Sequence, residues 1–194
     1  MNDWLPWAAA AAALFAFSRK AGADGPMTYP KLSRDQLIDL ARQESEYHGM
    51  PPWILLATAQ SESGIQHLAP TGKGQRKTFY PYGIQVNRGS YILQGVSQDE
   101  LERVMSDPQA LTSMAATELK RGYDLYGDDV DRLRMFWAMP AWAKRGAPWP
   151  RTTGSYKGRP ILTSHRLNRW RRHVEQWGGP RVPTPPDIRA DDVS

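Results

Sequence analysis

The chain has 194 residues, 40% hydrophobic and 23% charged, which is the composition of a water-soluble globular protein with room for one modest core. It has no cysteine, so a disulfide framework and a thiolate metal site are excluded, and its four histidines lack the His-x-x-x-His spacing of a zinc site. A formal net charge of +5 suits an acidic partner such as a cell-wall polymer, a membrane surface or a nucleic acid.

Residues 1–20 contain an alanine-rich apolar run from Trp4 to Phe17, followed by Arg19 and Lys20. The run is shorter than the ~20 residues of an unstrained helical span. Three readings stand: a short membrane anchor or interfacial helix, a signal peptide, or an ordinary buried helix. The tryptophans at one end and the basic pair at the other suit two membrane interfaces. A signal peptide would carry its positive charge first, and here the charge follows the apolar run. Residues 21–32 form a Gly/Pro linker.

Ser33 with Gln36 makes a capping box, and Leu37, Leu40 and Ala41 set the apolar stripe of the helix it opens. Pro51 and Pro52 open a second, uniformly apolar helix that Gly64 closes. Residues 64–90 read as loop with a short strand pair around Thr78–Val86. Ser97 and Glu100 form a second capping box, with Leu101, Val104 and Met105 as its apolar face. Asp107 and Pro108 start the longest helix, lined by Leu111, Met114, Ala115 and Leu119. Glu118 interrupts that row and is expected to form a boundary salt bridge. Asp128–Met139 is a further helix with Leu133, Phe136 and Trp137 inward. Residues 140–163 read as a Pro-, Gly- and Trp-rich loop. Ser164 starts the last helix, with Leu167, Trp170, Val174 and Trp177 on one face and arginines distributed round the others. Residues 178–194 read as a disordered tail. Residues 33–177 are expected to form one domain.

Glu62 falls in the last turn of the second helix. Burial and the crowd of free carbonyls at a helix C-terminus both favour a protonated carboxyl there. A carboxylic acid that keeps its proton near neutral pH is what cleavage of a glycosidic bond requires. The plainer reading of Glu62 is a solvated residue at a helix end. From Ser63 through Gln98 there is no Asp or Glu. A second carboxylate, needed as base or nucleophile by most glycosidases, is therefore missing from the neighbouring loop.

Glu62-Ser63-Gly64, followed after a loop by Gly83-Ile84-Gln85, resembles the lytic transglycosylase (SLT) group of the lysozyme-like superfamily. That group has a helix ending in Glu-Ser-Gly, then a loop, then Gly-Leu-Met-Gln. The helix entry Tyr47-His48-Gly49-Met50-Pro51-Pro52 and the pair Asp107-Pro108 also resemble family features, and the likeness covers roughly residues 35 to 140. It implies a mainly α, lysozyme-like (α+β) helical domain with a small loop/strand region, to which the N-terminal apolar helix is added. It also implies cleavage of the bond between N-acetylmuramic acid and N-acetylglucosamine in peptidoglycan. Glu62 would first protonate the glycosidic oxygen, then take the proton of the muramic C6 hydroxyl as a 1,6-anhydro ring closes. No metal or organic cofactor is implied.

The resemblance gives Ser63 and Gln85 as hydrogen-bonding partners of the sugar; for Gln85 the plainer reading is an amide that satisfies its own loop. Tyr80, Tyr82 and Trp137 are candidates for sugar-stacking walls, Tyr82 foremost, and each is also a candidate core aromatic. The family's late Ala-Tyr-Asn-Ala-Gly is replaced by Met135-Phe136-Trp137-Ala138-Met139, so Phe136 or Trp137 would fill the place of the lost tyrosine. A protein that keeps this fold only to bind the wall is the alternative function, and a lysozyme-type hydrolase the alternative enzyme. The partners are then peptidoglycan glycan strands, with a membrane through residues 4–17. The setting is the periplasm or cell wall, or a phage particle. No specific nucleic acid is expected, because the arginines of the last helix do not form one stripe. Thr71–Lys77 lacks the Gly-Lys-Ser/Thr of a phosphate loop.

Overall fold

The computed structural model describes residues 31–71, 76–87 and 104–182. Within them the chain is mainly helical, with two antiparallel strand pairs. The apolar run at 4–17, the capping box at 97–100 and residues 183–194 lie outside the described residues. Among the described residues no helix is long and apolar enough to cross a membrane. The chain divides into two compact units, Met1–Arg121 and Gly122–Ser194.

In the first unit, α1 (Arg34–Tyr47) begins with the expected capping box. Ser33 Oγ accepts from the Gln36 amide at 3.2 Å, and the Ser33 amide donates to Gln36 Oε1 at 2.8 Å. Its inner face buries Leu37, Ile38, Leu40 and Ala41. The second helix, α2 (Pro52–Ser63), buries every residue from Trp53 to Ala59. A helix that is apolar all round belongs inside, and each of its large side chains contributes roughly 1.5–3 kcal/mol by leaving water. The expected strand pair is β1 (Arg76–Phe79) and β2 (Ile84–Asn87), in antiparallel register with Phe79 opposite Ile84 and Thr78 opposite Gln85.

The long helix α3 (Pro108–Tyr126) starts at the predicted Asp-Pro, where Asp107 Oδ1 accepts from the Gln109 amide at 3.0 Å. Pro108 sits where an amide hydrogen has no intrahelical partner to lose. Leu111, Met114, Ala115 and Leu119 are buried. Glu118 forms the anticipated salt bridge, 3.1 Å from Arg121 Nη1. Burial holds the Glu118 carboxyl above its usual pKa, and Arg121 offsets part of that shift.

The second unit contains α4 (Val130–Ala138), α5 (Pro140–Arg145), β3 (Thr152–Tyr156), β4 (Arg159–Leu162) and α6 (Thr163–Gln176). Asp129 caps α4 by accepting from the Arg132 amide at 3.0 Å. Residues 140–163, expected as loop, instead hold a short helix and a hairpin. Pro140 opens the helix, and Lys157 and Gly158 turn the hairpin with φ +49° and +77°. Two positive φ values at the centre of a two-residue turn match the right-handed twist of the strands. Leu167, Trp170 and Val174 of α6 are buried, and Trp170 Nε1 donates to the Val130 carbonyl at 2.8 Å. The arginines of α6 are not equivalent. Arg171 makes a two-pronged ion pair with Asp131, its Nε 2.9 Å from Oδ1 and its Nη2 on Oδ2.

Candidate active site

Glu62 lies half-buried in the last turn of α2, as the capping signals required. Gly64 ends the helix with φ +69°, its amide directed at the carbonyls of Ala59 and Gln60. Ile65 then also takes a positive φ, +57°, and is fully buried. A β-branched residue in the left-handed region costs roughly 1–2 kcal/mol, so the chain stores strain directly after the Glu-Ser-Gly motif. Strain of this kind collects at functional sites.

The second motif meets the first. Gly83 has φ +67°, and a β-carbon added to it would stand 2.9 Å from Glu62 Oε2, 3.2 Å from Cγ and 3.3 Å from Cβ. Position 83 thus has two independent reasons to be glycine: its backbone and the Glu62 side chain lying against it. Gln85 follows in β2 opposite Thr78; its side chain lies outside the described part of the structure.

Ser63 is committed locally. Its hydroxyl donates to the Ala59 carbonyl at 3.1 Å and accepts from the Gln66 amide at 3.1 Å. Its hydrogen is spent on the helix end, which leaves one lone pair to accept from a sugar. Tyr82 is a correction, since it is only 1% exposed and belongs to the core, not to a sugar-stacking wall. Burial raises its phenol far above the usual range, opposed by a hydrogen bond with Thr112 and reinforced by the charge of Glu44. The Thr112 hydroxyl also donates to the Pro108 carbonyl at 2.7 Å. Tyr80, the lesser candidate, is half-buried and lines a pocket. Phe136 and Trp137 belong to the second unit. Phe136 is 3% exposed and packs in that unit's core beside Gly122 and Tyr126, while Trp137 is half-buried.

Sequence reasoning missed Glu44. It is 8% exposed on α1, accepts from Gln109 Nε2 at 3.1 Å and lies 3.6 Å from His48 Nε2. The signal was present: Glu44 continues the row Leu37, Leu40, Ala41 at helical spacing, where a charge must find partners. Among the described residues no three His, Asp or Glu side chains converge as a metal site would require.

No protein-family model, curated protein or solved structure matches this chain. The site itself consists of one half-buried carboxylate at a helix C-terminus, held against a glycine turn and followed by a strained backbone. A carboxyl group so placed can give a proton to, or take one from, a group within hydrogen-bond reach.

Proposed function

We propose that the first unit is a glycan-cleaving domain in which Glu62 is the only acid/base. The reading is a peptidoglycan lytic transglycosylase of lysozyme-like architecture, a helical body with a small antiparallel hairpin beyond the Glu helix. The observation that carries it is the packing of Gly83 on Glu62, which joins two motifs that the sequence keeps apart. The carboxylate-free stretch Ser63–Gln98 supports the single-Glu route, in which the C6 hydroxyl of the muramic residue replaces water as nucleophile. Glu62 would protonate the glycosidic oxygen as the C1–O4 bond breaks. It would then accept the C6 hydroxyl proton as O6 bonds to C1. Peptidoglycan is the proposed partner, and the apolar run at 4–17 is proposed to hold the domain near a membrane, in the periplasm or in a phage particle.

The commitment of the Ser63 hydrogen to the backbone favours a second reading, a wall-binding protein without turnover, because Ser63 then has no hydrogen to donate to the sugar.

The test is digestion of purified sacculi by the full chain, wild type and Glu62→Gln, with soluble products read by mass. Anhydro-muropeptides from the wild type alone are expected. Hydrated reducing ends would mean a hydrolase. Absence of products, with both forms pelleting with sacculi, would establish the wall-binding reading.

A further inference from the structure

The two segments that bring Glu62 and Gly83 together also build a pocket of about 220 Å³ in the first unit, with His67 from the loop after Glu62 and Tyr80 from the turn before Gly83. Its described polar side chains can all donate hydrogen bonds. The Leu32 amide donates to His67 Nδ1 at 3.4 Å, so the neutral ring carries its hydrogen on Nε2. Lys31 adds an ammonium group, and Ser106 and Tyr80 add hydroxyls, the latter shared with Thr71 Oγ1 at 3.1 Å. Phe79 and Met105 give apolar walls. Among the described lining residues there is no Asp or Glu. Burial and the nearby Lys31 charge both hold His67 below its ordinary pKa, so the ring is neutral near pH 7, and among the described lining residues the charge is that of the Lys31 ammonium.

We propose that this pocket binds a carboxylate attached to a sugar, its negative charge meeting the ammonium of Lys31 and the donor hydrogens around it. A cation would meet no acceptor charge among the described lining residues. The volume lies below the ~300 Å³ typical of sites for drug-sized ligands and suits a group the size of lactate or one amino acid. On the proposed glycan-cleaving function, on which this substrate assignment rests, the carboxylate is the free lactyl group of a muramic residue without a peptide, or the terminal carboxylate of a single amino acid joined to it. N-acetylglucosamine has no such group, so the pocket would set which sugar lies on this side of the cut.

The experiment follows the His67 ring nitrogens by NMR in the full chain carrying Glu62→Gln, titrated with N-acetylmuramic acid, N-acetylglucosamine and inorganic phosphate. The spectrum of a His67→Gln variant assigns the signal. N-acetylmuramic acid is expected to shift His67 saturably, N-acetylglucosamine to leave it in place, and Lys31→Met to weaken the response by about fivefold or more. Lys31 is exposed, and an unchanged amide spectrum verifies that the variant folds. A silent His67, equal shifts with both sugars, or an equal shift with phosphate would overturn the assignment. Sacculus cleavage with a silent His67 sinks only the pocket. A muramic-specific shift without cleavage upholds the pocket and sinks the catalytic reading.

Discussion

The side chain of Glu62 fills the space that a side chain at Gly83 would need, with Oε2 2.9 Å from the position of the missing β-carbon. Gly83→Ala therefore carries two penalties. One is backbone strain at φ +67°, on the order of 1–2 kcal/mol. The other is displacement of the carboxylate, which on the proposed function lowers turnover by at least about tenfold, since misplacement by about 1 Å can cost 10²-fold. Gly64→Ala separates them: its φ is +69°, but its nearest contact, Gln66 Nε2, lies at an ordinary 3.8 Å. Both variants are expected to lose comparable stability in urea, and Gly83→Ala alone to lose the larger share of sacculus-solubilising activity. Equal activity losses would show that the contact with Glu62 does not matter.

The helices were legible because their signals are local. The Ser33 box, the Asp107-Pro108 start and the Gly64 stop each act within one turn of chain, and each stands where expected. What escaped was set by side-chain placement at longer range. Tyr82 lies beside the motif glycine, and nothing within a few residues reveals that its ring points inward to Thr112. Lys157-Gly158 is a weaker hairpin signal than Asn-Gly, and the prolines around it suggested loop. Arg171 reads as one more solvated arginine until Asp131, on a different helix, is placed opposite it.

Tyr82→Phe tests the core assignment of that ring. The ring stays and only the hydroxyl is lost, while Thr112 keeps its bond to the Pro108 carbonyl. The expected cost is about 1 kcal/mol in urea denaturation. Titration gives a second readout. The chain has eight tyrosines, and burial keeps the Tyr82 phenol protonated where exposed ones ionise. Wild type and variant are expected to show the same ultraviolet absorbance change from about pH 9 to 11, the range around an ordinary tyrosine pKa. A smaller change in the variant would place Tyr82 at the surface.

Two histidines make stability depend on pH. Burial, with Lys31 beside it, lowers the pKa of His67; burial, together with Arg169, Arg172 and Arg134, lowers that of His173, against a hydrogen bond with Gln176. The folded state thus prefers both rings neutral. As pH falls through about 6.5 the unfolded chain takes up these protons first, so stability present above that pH is lost progressively as the folded midpoints are approached. Ring-proton NMR should give both midpoints below 6.5. The double variant His67→Gln/His173→Gln should flatten the decline of the urea midpoint between about pH 7 and 5. Midpoints at or above 6.5 would contradict the burial of these rings.

Phe136 stands where the sequence resemblance suggested a residue lining the site, and its packing makes it a stability residue instead. Phe136→Ala should cost roughly 3–5 kcal/mol. Its partner is Gly122, where an added β-carbon would come 2.6 Å from Phe136 Cδ1 and 3.0 Å from Cε1. Alanine is the better helix former by up to about 1 kcal/mol, so an open site would gain from Gly122→Ala. Here the overpacking cost, typically about 1–3 kcal/mol, opposes that gain and is expected to exceed it. Phe136→Leu removes the clashing ring edge. The double variant Gly122→Ala/Phe136→Leu should therefore be more stable than the sum of the two single losses allows, with a coupling of about 0.5–3 kcal/mol in urea denaturation. Additive losses would mean that the two residues do not touch in solution, and would reopen Phe136 as a residue free to meet a ligand.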